Sequence, residues 1–203
     1  MSVRSRERKP WPLRWVLLAI VLVAVPYTYL TLHYRKPGPA FAPHADLHKR
    51  ANVHRLLAAG FQQISLLAER PADVAGPAVA TATAAPGGLP DELRTTLVEP
   101  LELPQEIVAV SAAPIAPASE AYRIRFSCTL PDDHRQPGGA ELFLKGDRIV
   151  IVPTLERVAG DLLARTRIHM MLVTIPAGAI KPGLYAVTLA GARSSRDWML
   201  ELR

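Results

Sequence analysis

Eighteen consecutive residues, Trp15 to Leu32 (WVLLAIVLVAVPYTYLTL), carry no charge, and this run constrains the chain more than any other feature. A helix rises 1.5 Å per residue, so eighteen to twenty-two residues cover about 27–33 Å, the thickness of a bilayer's hydrocarbon core. Aromatic residues stand at both ends, Trp11 and Trp15 about its start and Tyr27, Tyr29 and Tyr34 about its close. Such rings prefer the head-group boundary. The pattern predicts a transmembrane helix over 13–34, with Trp11, Trp15, Tyr34, Arg35 and Lys36 at the membrane interface. Pro26 lies inside it, a kink that lipid-embedded helices tolerate. A cleavable signal peptide would want a small-x-small site after the apolar stretch that ends at Val25, where Tyr27, Tyr29 and Leu30 stand instead.

The formal charge of +6 first suggests a nucleic-acid partner. Its placement removes that reading. Seven of the 24 basic groups and one of the 18 acids fall in residues 1–36, which leaves 17 of each sign in 37–203. The excess flanks the apolar run, where it meets lipid head groups and sets topology, and the neutral remainder offers a phosphate backbone nothing. Five basic groups precede the uncharged run, so the expected arrangement is a single pass through the cytoplasmic membrane. A basic N-terminus (1–12) then lies inside and everything beyond residue 36 is extracytoplasmic.

Past the span, residues 35–70 read as a juxtamembrane spacer and helix. Asp46 is a candidate N-cap, apolar residues recur at helical spacing, and Gly60 is a stop signal, giving a helix over 46–59. A strand is expected at 61–67. Residues 71–88 are almost all Ala, Pro, Gly, Thr and Val, too little bulk to order themselves, so 71–105 is expected to be a linker. Within it LPDELRTTLVEP holds a short helix opened by Pro90 and Asp91. A strand follows at 106–111.

From residue 120 the period is two. Tyr122, Ile124, Phe126, Cys128 and Leu130 alternate with Arg123, Arg125, Ser127 and Thr129, a half-buried strand. ELFLKGDRIVIVP turns through Lys145-Gly146-Asp147 as a hairpin. Strands also fit RTRIHMMLVTIP, LYAVTLAG and DWMLELR. Short strands with a turn signal about every ten residues predict a mainly β domain over 106–203, built as an antiparallel sandwich.

Residues 182–187, Pro-Gly-Leu-Tyr-Ala-Val, resemble the tyrosine corner of immunoglobulin-like and fibronectin-type domains. The resemblance implies structural roles for Tyr185, whose hydroxyl would bond back to the backbone, and for Gly183. Cys128 falls where such domains often carry their first core cysteine. Val187 occupies the second position, so no inter-sheet disulfide is implied; Cys128 is the chain's one cysteine. The order of anchor, short helix and β-sandwich, closing on a Pro-Gly-x-Tyr strand and a Trp-bearing strand, is similar to small accessory proteins of haem-copper oxidase maturation. That similarity implies a role in assembling a metalloenzyme.

No catalytic or cofactor set emerges. His169-Met170-Met171 contains His-x-Met, which small copper carriers use with an upstream Met. Here Asp147 stands at that position, twenty-two residues earlier. No Cys–His–Met run follows Cys128 in one loop, so no blue-copper loop is present. His169 and Met171 remain the metal candidates, against the plain expectation that Met170 faces the core while His169 faces solvent or the second sheet. His44, His48 and His54 lack an HExxH pattern. Gly-x-Ser-x-Gly is absent, and Asp132, Asp133 and His134 read as turn formers. Gly138-Gly139 precede a strand, not the helix a phosphate loop needs. Tyr122, Phe126, Tyr185 and Trp198 fall on apolar faces, which removes the platform a carbohydrate would need. The expected function is an interaction or scaffold module, not an enzyme and with no cofactor. It would contact the lipid bilayer and a membrane or envelope protein, with nucleic acid excluded. The alternative is an accessory factor in assembly of a metalloenzyme such as a respiratory oxidase.

Overall fold

A computed structural model describes residues 12–34, 43–69, 82–158 and 166–203. The chain divides into two compact units, 1–43 and 44–203. The first contains helix α1 (Leu13–Tyr34), 22 residues long with a mean hydropathy of 2.1 over its most apolar window and no buried residue. It is long and apolar enough to cross a membrane. Pro26 sits inside it. The Thr31 hydroxyl donates to the carbonyls of Tyr27 and Thr28, so this polar side chain is satisfied within the helix itself. Trp11, Arg35, Lys36 and residues 71–81 lie outside the described residues.

Helix α2 (Pro43–Ala58) follows, all but its first residue in the second unit. The helix begins three residues before the expected cap, so Asp46 lies inside it; proline at a first helical position gives up an N–H that has no partner there anyway. Gly60 ends it with φ of 81°. Phe61 N–H donates to the Leu56 carbonyl and Gly60 N–H to that of Leu57, the paired bonds of a Schellman motif. Phe61 and Leu56 are both buried in one cluster, which supplies the motif's usual apolar contact.

Eleven strands follow among the described residues: β1 (Gln62–Leu66), β2 (Ala68–Glu69), β3 (Thr83–Pro86), β4 (Glu106–Ala112), β5 (Ile115–Ala116), β6 (Tyr122–Thr129), β7 (Arg135–Lys145), β8 (Arg148–Arg157), β9 (Ile168–Ile175), β10 (Gly183–Leu189) and β11 (Ser194–Leu202). Helix α3 (Asp91–Thr96) lies between β3 and β4. All join one sheet in the order β1-β7-β8-β10-β11-β4-β6-β9-β2, with β3 and β5 also on β11. Only Leu67 separates β1 from β2. One run of chain therefore pairs with β7 at one end of the sheet and with β9 at the other, and the sheet nearly closes into a barrel.

This corrects the expected antiparallel sandwich. The sheet is mixed: β8 and β10 pair in parallel, as do β11 with β4 and β11 with β5. After β8 the chain leaves to form β9 against β6, then returns, so β10 lies beside β8 in the same direction. The domain limits change too. Residues 62–69 and 83–86 belong to the same sheet as 106–203, so the compact unit begins at His44 rather than Glu106. The small-residue stretch expected to be only linker ends in β3, which pairs with Ser194–Asp197 of β11. Its smallness is what permits this. A Cβ on Gly87 would collide with the backbone of Ala192 and Arg193, and one on Gly191 with the Ser194 carbonyl. Gly88 N–H donates to the Gly191 carbonyl at 2.8 Å across that contact.

Inside the sheet, Ile124, Phe126, Cys128 and Leu130 of the period-two segment pack with Leu142, Ile149, Ile151, Val187 and Leu200. Strand β8 is buried from Ile149 through Pro153, because Ile149 and Ile151 face this core while Val150 and Val152 face outward. Those outward residues join Phe143 under a second layer made by Leu56, Leu93 and Leu97. A strand covered on both faces reads as a continuous apolar run, which accounts for RIVIVP. The β7–β8 hairpin closes through Gly146, φ 59°, at the first central position of a two-residue turn, as a type II′ turn requires.

The second layer predicts a sharp contrast. Phe143→Ala removes a side chain that is 1 % exposed and should cost about 3–5 kcal/mol. Leu184→Ala, at a position 59 % exposed, should stay within about 0.5 kcal/mol. Chemical denaturation of the full chain in detergent, followed by the fluorescence of its tryptophans, measures both.

Candidate functional site

The face of the second unit that carries α2, α3 and the 97–103 segment holds two grooves. Asn52 Oδ1 accepts the Val98 N–H at 2.7 Å, which ties that segment to α2. His48 Nδ1 pairs with Glu99, and Arg135 with Glu102. Between these elements and the sheet lies a groove of about 540 Å³, with Leu56, Leu97, Phe143 and Val152 on its floor and Glu99 and Glu102 on its rim. Val53 lines the same groove and is 45 % exposed; Leu57, one turn on, is 62 % exposed. A second groove, about 460 Å³, lies beside the β7–β8 turn. There Lys145 pairs with Glu92 and holds its Nζ 4.9 Å from the centre of the Phe61 ring, a cation–π contact.

Inside the sheet the sequence candidates fall differently from expectation. Strand β9 alternates with His169, Met171, Val173 and Ile175 buried and Met170 half-buried on the opposite face. The expected orientation of His169 and Met170 is thus reversed. Cys128 stands directly across from His169 in the β6–β9 register, and Phe126 across from Met171. Cys128 Sγ lies 4.0 Å from Met171 Sδ, with both side chains fully enclosed. His169 Nε2 is 2.7 Å from the Thr166 carbonyl. Among the described residues no three His, Cys, Asp or Glu side chains gather as a cation cage.

The remaining candidates have structural partners. Arg167 donates twice to Asp133, at 2.7 and 3.2 Å, and that bond holds the Asp133 carboxyl below its usual range. Asp132 accepts from the His134 backbone N–H and from Arg135, as a turn-forming acid does. His54 is exposed on α2. Tyr185 donates its hydroxyl to the Lys181 carbonyl at 2.8 Å, and Gly183 lies beside its ring, where a Cβ would make ordinary van der Waals contact. Tyr122, Phe126 and Trp198 are buried. One relay has no sequence signal: Trp198 Nε1 donates to the Tyr122 hydroxyl at 3.3 Å, and that hydroxyl donates to the Ala113 carbonyl at 2.7 Å. Burial raises the Tyr122 hydroxyl to about 12 against the opposing pull of the Trp198 bond. On α1, Trp15 and Tyr34 are exposed near opposite ends of the apolar surface.

Burial also pushes the Cys128 thiol up to about 12. At pH 8 it is therefore protonated as well as enclosed, and the reactive thiolate is scarce. Cys128 is the sole cysteine, so labelling is unambiguous. A charged maleimide should fail to modify the native chain and should react fully once denaturant opens the core.

No family model, curated protein or solved structure matches this chain.

Proposed function

We propose that the chain is a membrane-anchored interaction module, with α1 in the cytoplasmic membrane and the β unit holding an envelope or membrane protein on the extracytoplasmic side. The observation that carries this reading is the pairing of Val53 and Leu57, exposed one turn apart on α2, with the apolar-floored groove beside them. Apolar side chains at i and i+4 on a helix form one contact stripe, and a floor packed on β7 and β8 keeps it rigid. The charge balance beyond residue 36 supports a protein partner over nucleic acid. The reading assigns no catalysis to the chain. An immunoglobulin-like ancestry for the sheet draws support from the Tyr185–Lys181 hydrogen bond and the core position of Cys128.

A second reading, an accessory factor in assembly of a metalloenzyme such as a respiratory oxidase, is favoured by the enclosed thiol, thioether and imidazole on β6 and β9.

A photoreactive amino acid at Leu57, used in intact membranes, should crosslink one stoichiometric protein. The same probe at Leu184, also exposed, should not. Leu57→Glu should abolish co-purification of that protein while leaving the melting temperature within a few degrees. Equal crosslinking from both positions, or none from either, rejects this face as the docking surface. Protease added to sealed right-side-out vesicles should digest the β unit; protection would reverse the topology.

A further inference from the structure

We propose that Cys128, Met171 and His169 form a buried three-coordinate site for monovalent copper at one end of the sheet interior. This goes beyond the interaction reading and stands or falls separately from it.

Register brings the three side chains together. Cys128 faces His169 across the β6–β9 ladder, and Met171 lies two residues on, so strand alternation turns all three inward. Their residues are 0 %, 8 % and 2 % exposed respectively. The two sulfurs are 4.0 Å apart. Two bonds of about 2.3 Å from a soft metal to sulfur, opened to the trigonal angle, also place their sulfurs about 4 Å apart.

The imidazole keeps one ring nitrogen for the third position. A carbonyl can only accept, so His169 Nε2, bonded to Thr166 O, carries the proton. In the neutral ring the lone pair is then on Nδ1. A histidine whose other nitrogen donates to a backbone carbonyl is the arrangement that fixes tautomer and ring plane in metal sites.

Charge selects the ion. Thioether and thiolate are soft donors that disfavour magnesium, calcium and manganese. One thiolate with a neutral thioether and a neutral imidazole contributes a single negative charge. With a monovalent ion the complex is neutral, whereas a divalent ion leaves an uncompensated net charge among Phe126, Leu130 and their apolar neighbours, which burial disfavours. As the metal binds, the Cys128 S–H proton passes to solvent and an S–Cu bond replaces it. The copper arrives and stays as Cu(I), so no electron moves. His169, the most exposed of the three, marks the side of access.

The test uses the full-length chain in detergent under anaerobic conditions, with Cu(I) supplied as its complex with a chromophoric chelator. One equivalent of copper should transfer to the protein, and X-ray absorption should show two sulfurs and one nitrogen around it. Met171→Leu conserves volume and should keep the fold while weakening retention at least about tenfold. His169→Gln should do likewise, and Cys128→Ala should abolish retention. Should Cys128→Ala fail to fold, Met171→Leu with the absorption spectrum still decides. Failure of the wild type to hold copper against the chelator overturns the site. So does equal retention by Met171→Leu, which would place the ion on surface histidines, or a preference for Zn(II).

Discussion

The run from Gln62 to Glu69 carries two hydrogen-bonding duties, and most of the second unit depends on it. Its first five residues pair with Leu144 back to Ala140 of β7, and its last two with Val173 and Leu172 of β9. Leu67, 83 % exposed, is the bend between them. An open sheet of this size would present two long edges and one unprotected apolar face. By meeting both ends, eight residues turn that face into an interior. Cys128, Ile151 and Leu200 become fully enclosed there although no second sheet lies over them. The seam between β11 and β4 is the thin place in the ring. Only Ser194 and Glu106 pair across it, and the Arg196 guanidinium reaches over to the Ile107 and Val108 carbonyls.

Closure leaves the outside of β7 and β8 to be covered, and α2, α3 and the 97–103 segment cover it. The second cluster is thus both a stabilising layer and the support beneath the α2 stripe. If the α2 stripe docks a partner as proposed, such a support orders it beforehand, which reduces the entropy lost on docking. The interior chemistry is independent of that face: the thiol, thioether and imidazole sit on β6 and β9, while the groove is built over β7 and β8.

Several features were legible in the residues themselves because each is a local matter. The length and apolarity of α1 needed no knowledge of neighbours. Gly60 as a helix stop follows from the left-handed conformation a Schellman motif demands. Strand β6 was clear because its charged and apolar residues alternate cleanly, and the β7–β8 turn because Gly146 marks it. The period-two and turn-spaced pattern also carried the mainly β class.

Strand direction and sidedness were different. Nothing in RIVIVP or LYAVTL says that β10 will lie parallel to β8, since direction is fixed by where the intervening β9 goes. The inward set of β9 was equally hidden: Ile168, Met170 and Leu172 are as apolar as Met171, Val173 and Ile175, so alternation alone has two phases. Pairing with β6 chose between them by placing His169 opposite Cys128. The sequence by itself determined the long apolar helix, the local turns and the period of the strands, because those depend on neighbours within a few residues. Tertiary structure decided the near-closure of the sheet, the parallel pairs and the meeting of Cys128, His169 and Met171. Those depend on register between segments some forty residues or more apart, set by which packing excludes water from the most apolar surface.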